Sequence, residues 1–296
     1  MTNADPLPEA RTGVLTPASA PALFKSYGGV KPKPVSEVSG GICLGIYGPG
    51  GIGKTTLAGT VCDTDLGWPA LYLNARGNPH VIRSRGDKVQ IMDVSSFKQA
   101  QSIRDDIAKD TKCPYKSIIV DNVTELWSLD LRDRYGANTQ IEWTMHSATT
   151  ADVLALVRNY SDLATSFHKL NVIFIMWETP EKRAIRGEKE KDRSEVAFNK
   201  ALQSQVPGII TWLGRLYITD EVLYTRCLDF RPIESMQQSK FQVDPDDEAT
   251  KDIPMEIWNP SLASIIDTVK GGQPWPAAKH QAPSLVDLNR AATAKR

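Results

Sequence analysis

Short, continuous apolar runs alternate along this chain with segments of helical period. Ile42–Tyr47, Ala70–Leu73, Val89–Val94, Ser117–Val120 and Val172–Trp177 read as strands. Between them, helical period runs from Lys54 to Cys62, Ser96 to Lys109, Val123 to Arg134 and Ala151 to His168. The last of these places Val153, Leu154, Leu156, Val157, Tyr160, Leu163, Ala164 and Phe167 on one broad face. Ile/Val runs without strict alternation predict strands covered on both sides, as in a parallel sheet between helical layers. The strand-then-helix rhythm gives an α/β class. Beyond Ile209 the pattern changes: Leu216–Thr219 and Tyr224–Phe230 flank an Asp220-Glu221 turn and predict an antiparallel hairpin extending the sheet, with Leu262–Val269 as a closing helix.

The ends lack this pattern. Residues 1–38 carry Pro6, Pro8, Pro17, Pro21, Pro32 and Pro34 among small and polar residues. They offer too little apolar surface to offset the entropy of ordering, so a flexible arm is expected there. The same reading applies to 271–296, with a short helix over Ser284–Lys295 as an option. The folded domain is expected over 39–270.

Composition narrows the function classes. Of 296 residues 41% are hydrophobic and 24% charged, an ordinary globular balance, and 35 basic residues meet 35 acidic ones for a net charge of +0. A global polycationic attraction to nucleic acid is excluded; any such binding needs a local patch. Cys43, Cys62, Cys113 and Cys227 form no CxxC pair and the four histidines are scattered, so neither a disulfide framework nor a sequence-local zinc site is expected. Val172–Trp177, the most hydrophobic stretch, falls far short of the about 20 residues a membrane span requires, and the N-terminus has no signal design. A cytoplasmic protein without membrane contact is expected.

The strongest chemical signal is Gly48-Pro49-Gly50-Gly51-Ile52-Gly53-Lys54-Thr55-Thr56. It matches the phosphate-binding G-x-x-x-x-G-K-[ST] loop and lies between an apolar strand and a helix, as that loop must. Its glycines let successive N–H groups converge on an anion, and the helix start adds its positive end. Lys54 is expected on the β- and γ-phosphates, Thr55 on Mg²⁺ and Thr56 toward the α-phosphate. No guanine-reading Asn/Thr-Lys-x-Asp motif occurs, which favours ATP. About 65 residues on, Lys116-Ser117-Ile118-Ile119-Val120-Asp121 is an apolar strand ending in a carboxylate, the Walker B pattern, and places Asp121 on the Mg²⁺ shell. Asn122 stands where ring-type AAA+ ATPases usually carry a catalytic Glu, a departure from that branch.

This order of motifs resembles the RecA-like ATPase core, in particular the compact phage RecA-related proteins of single-strand annealing and recombination. The resemblance covers about Gly41–Phe230 through GPGGIGKTT, ALYLNARG, KSIIVDNVTEL and LNVIFIMWE. It implies a RecA-like P-loop NTPase core: a mainly parallel central sheet flanked by helices, a C-terminal antiparallel hairpin, ATP and Mg²⁺ at the carboxyl ends of the strands, and a homo-oligomeric ring or filament. The acidic residue that commonly ends the second strand of such proteins is replaced by Arg76. Hydrolysis is then either weak or served by another carboxylate; Glu178 is the leading substitute beside Lys54 and Asp121, Glu125 a second one, and the register alternatively puts Trp177 at that strand end.

The resemblance further implies DNA-contacting loops at about Gly136–Thr149 and Thr179–Ser194. In the first, Trp143 and His146 either stack on bases or anchor the loop to the core. The second carries Lys182, Arg183, Arg186 and Lys189 among acidic residues, with Gly187 at its centre, and reads either as a DNA contact or as a solvated face. Lys240 reads as a surface lysine or a contact to a neighbour's phosphate. Three functions remain: an ATP-dependent single-stranded-DNA protein of recombination, annealing or replication; a nucleotide-gated switch or helicase-loader-like protein gripping replication or recombination proteins through its tails; and a small-molecule kinase.

Overall fold

The computed structural model describes residues 40–136, 143–183, 191–218, 224–232, 238–242, 246–247 and 250–282. Five parallel strands form the centre: β1 (Cys43–Gly48), β2 (Ala70–Asn74), β3 (Val89–Asp93), β4 (Ser117–Asp121) and β5 (Asn171–Arg183). Further along come β6 (Lys191–Val196), β7 (Trp212–Ile218), β8 (Arg226–Asp229), β9 (Lys240–Phe241) and β10 (Glu256–Trp258). The sheet runs β10-β8-β7-β1-β5-β4-β2-β3; β7 joins parallel to β1, while β8 and β10 continue antiparallel. The chain is thus an α/β protein with a mainly parallel core and antiparallel strands on its C-terminal side. The Trp68–Pro69 and Asp121–Asn122 peptide bonds are cis.

Strand side chains alternate between faces, so each apolar run feeds two cores. Cys43 and Tyr47 of β1, Leu71 and Leu73 of β2, and Phe174 and Met176 of β5 pack under α2 (Phe97–Lys109), α3 (Val123–Tyr135), α4 (Trp143–Thr165) and α5 (Lys200–Ile209). Leu44 and Ile46, Tyr72, and Ile173 and Ile175 face the other layer, α1 (Lys54–Gly59) and α6 (Leu262–Gly271). Helices α2, α3 and α5 start at side-chain caps: Ser96, Asn122 and Asn199 accept from the N–H three residues on, at 3.1, 2.7 and 2.9 Å.

Several expectations are corrected. β3 is an edge strand with Ile91 and Met92 exposed, not one covered on both sides. The segment expected as loop 136–149 is helical from Trp143 onward, which puts His146 on α4 with its ring 5.8 Å from Trp127. Residues 179–183 and 191–194 are strand rather than loop: β5 continues past the sheet and pairs antiparallel with β6, Glu178 opposite Val196 and Arg183 opposite Lys191. Helix α5 and strands β9 and β10 carry too short or too irregular a pattern to be read from sequence. Lys240 is no free surface lysine: its Nζ donates to the carbonyls of Pro207 and Ile210 at the end of α5, 3.1 Å each. Within the expected tail, most of residues 272–282 are exposed, but His280 is buried and stacked on the half-buried Trp275. The Asp220-Glu221 turn, Gly187 and Ser284–Lys295 lie outside the described residues.

Candidate nucleotide site

The carboxyl ends of β1, β4 and β5 meet beside the glycine loop. Gly51 and Gly53 take φ of 75° and 101°, the left-handed region glycine enters at little cost, and Gly53 caps α1 from there. A cavity of about 320 Å³ lies over the loop and is bordered by Lys54, Thr55, Arg76, Asp121, Trp177 and Arg226. Lys54 is buried, and its Nζ donates to the carbonyls of Gly48 and Pro49, 2.7 Å each. Burial lowers its pKa to about 8, against the opposing pull of Asp121 and Glu178.

Asp121 is also buried. One carboxylate oxygen, Oδ2, accepts from Thr55 Oγ1 and from the Tyr72 hydroxyl, both at 2.6 Å. Burial pushes the Asp121 pKa up while these two bonds and the Lys54 charge pull it down. The loop residues Gly48 to Thr56 and Asp121, far apart in sequence, are therefore one site. Tyr72 was not singled out from the sequence; the only signal is a lone hydroxyl in the apolar run of β2, whose register sets Asn74 beside Asp121. Arg226 was missed as well, since β8 reads only as half of a distant hairpin.

The two carboxylates expected as hydrolytic substitutes are both engaged. At the end of β5, Trp177 shares the cavity face with Ile175, and it is Trp177 that pairs in register with Gly48. Alternation sends Glu178 to the opposite face, where Arg215 holds it by two bonds of 3.0 and 2.8 Å. Glu125 is buried and bound to Arg76 at 2.8 Å. Asn122 caps α3. Of the residues expected at DNA, Trp143 opens α4, Lys182 and Arg183 lie on the extension of β5, and Arg186 and Lys189 fall outside the described residues. Among the described residues no helix is long and apolar enough to cross a membrane.

Residues 41–240, more than half of the chain, match the family model described as AAA domain. No curated protein matches the sequence. Among solved structures, the RadB recombinase is similar at 17% identity and a TM-score of 0.39, over 65% of this chain and 81% of that one. An ATPase from the type III secretion system of pathogenic bacteria is similar at 13% identity and a TM-score of 0.40, over 61% of this chain and 51% of that one.

Proposed function

The chain belongs to the AAA domain family, and on that footing we propose that it is a slow ATPase that binds ATP with Mg²⁺ and acts on single-stranded DNA, as a phage-type recombination or annealing protein does. The observation that carries this reading is the meeting of Lys54, Thr55 and Asp121 in one cradle. The residues fit the ligands. A hydroxyl and a carboxylate oxygen 2.6 Å apart are hard oxygen donors of the kind Mg²⁺ takes. A Cβ added at Gly50 or Gly51 would meet nothing within 4 Å, so there is open space beside the tip of the loop. Thr55 and Asp121 would hold the ion, which when bound supplies charge neutralisation at the phosphates. Lys54 would exchange its two carbonyl partners for phosphate oxygens, and Tyr72 keeps Asp121 oriented.

Turnover is slow in this reading because neither Glu178 nor Glu125 is free to orient a water. Val81 and Trp177, both exposed, rim the cavity, which supports a second copy of the chain closing over the nucleotide. The DNA assignment draws support from the two-stranded arm of β5 and β6, which extends from the strand beside the loop and whose sequence carries Lys182, Arg183, Lys191 and Arg193 among Glu181, Asp192 and Glu195. Binding of an oligo-dT strand to the full chain, measured with and without ATP and Mg²⁺ alongside particle size, tests it: nucleotide-dependent binding with assembly is expected, and absence of binding in both conditions rejects the DNA role.

The tied carboxylates also favour a second reading, a nucleotide-gated switch that grips protein partners. In that case removing residues 1–38 and 271–296 abolishes partner capture, and oligo-dT is not bound.

A further inference from the structure

A second cavity, about 230 Å³, adjoins the first. The two share Gly53, Thr56 and Arg226. Arg226 opens β8 and lies across the last glycine of the loop. Its Nε donates to the Ile52 carbonyl at 2.7 Å, and a Cβ added to Gly53 would come within 2.7 Å of that nitrogen. The side chain is exposed yet makes no ion pair among the described residues. Its guanidinium thus forms a wall between the two cavities.

The wall formed by Asn259 and Pro260 is tied through its backbone on both sides. Asn259, at φ 45°, donates its N–H to the Arg226 carbonyl at 2.8 Å and is followed by Pro260. The buried His280 reaches the carbonyls of Trp258 and Asn259 with Nδ1, 3.1 Å each. Between the walls the lining residues offer a guanidinium, a carboxamide, the apolar side chains of Leu57 and Pro260, and the hydroxyls of Thr56 and Thr60. Apolar and planar surface with a few polar groups suits a heterocyclic base.

From these walls we propose that the second cavity is the nucleoside subsite, with Arg226 stacking on the base. It rests on the ATP reading of the glycine loop and deepens it. A triphosphate laid from Lys54 at the γ end to Thr56 at the α end points its ribose past Gly53 into this cavity. Among the described residues no carboxylate lines it, so the adjacent N–H donors of guanine meet no carboxylate pair there, whereas the N6 amino group of adenine is served by single acceptors such as a carboxamide or hydroxyl oxygen.

The test compares ATP with inorganic tripolyphosphate, each with Mg²⁺, by calorimetry on the full chain and on R226A and R226K. For R226A, ATP affinity is expected to fall about tenfold, within the range of base stacking on a flat side chain, while tripolyphosphate affinity stays within about twofold. R226K keeps the charge without the plane and is expected to behave as R226A does toward ATP. Equal losses for both ligands, or rescue by lysine, would make Arg226 a phosphate contact and overturn the subsite; unchanged ATP affinity overturns it too. If the parent chain binds neither ligand, the ATP reading itself fails and the subsite with it. Arg226 is exposed, so both variants are expected to fold, with circular dichroism as the check.

Discussion

At the residue scale, Lys54 links nucleotide binding to pH. Among the described residues its ammonium donates to two carbonyls, and burial outweighs the pull of Asp121 and Glu178, so its pKa is about 8. A bound polyanion favours the charged form and raises that value. ATP affinity is therefore expected to be flat below about pH 8 and to fall up to tenfold per unit above it, with proton uptake on binding near pH 8. Titrations in buffers of different ionisation enthalpy read that uptake directly; affinity independent of pH from 7 to 9 contradicts it. Because the unfolded chain holds this proton up to the ordinary lysine value of 10.5, the stability that Lys54 withholds from the fold is recovered as pH rises between these two values. Lys54→Ala loses charge-assisted bonds and is expected to weaken ATP binding roughly 10- to 100-fold. Tyr72→Phe removes one of two bonds to Asp121 Oδ2. About tenfold more Mg²⁺ is then expected for half-maximal ATP turnover, while Mg²⁺-free ATP binding stays unchanged. The loop and Asp121 were legible because the chemistry of phosphate and magnesium fixes residue types at fixed spacings. Tyr72 was not, because a tyrosine in a buried strand looks like core until the neighbouring strand brings the carboxylate to it.

At the scale of elements, strand alternation decided what sequence left open. The choice between Trp177 and Glu178 at the end of β5 is a choice of register, and one residue reverses the face. With Ile173 and Ile175 toward α1, Trp177 falls at the cavity and Glu178 behind the sheet. Glu178→Gln is expected to lower stability by about 1–3 kcal/mol, between the values for surface and buried ion pairs, since it halves a two-bond pair with a largely buried carboxylate. ATP turnover is expected to stay within a few-fold. Thermal melting and turnover measured together separate the roles: a hundredfold loss of turnover at unchanged melting temperature makes Glu178 catalytic after all. The five parallel strands and the helices between them were readable because burial on both faces writes continuous apolar runs. Edge strand β3 shares that composition while packing only partly, and the arm of β5 and β6 reads as a charged loop because its pairing is antiparallel and its register lies outside any local pattern.

At the scale of the molecule, the C-terminal strands serve the glycine loop. Strands β8 and β10 carry Arg226 and lead to Asn259 beside a loop about 200 residues earlier, and His280 closes the arrangement. The histidine comes from a stretch whose Gly, Pro and Ala content reads as flexible, yet its ring is stacked on Trp275 at 4.8 Å. Two carbonyl oxygens at Nδ1 require that nitrogen to carry the proton, since only a donor satisfies both. Removing the ring leaves those carbonyls without their partner and opens space beneath Trp275, a cost of about 1–3 kcal/mol. His280→Ala is therefore expected to lower the melting temperature by several degrees. Because the Asn259–Pro260 wall loses its tie, ATP affinity is expected to fall a few-fold while that for tripolyphosphate holds. A melting temperature equal to the parent's would mean that the last described segment contributes nothing to the fold; an equal loss for both ligands would mean that His280 supports the glycine loop rather than the wall opposite Arg226.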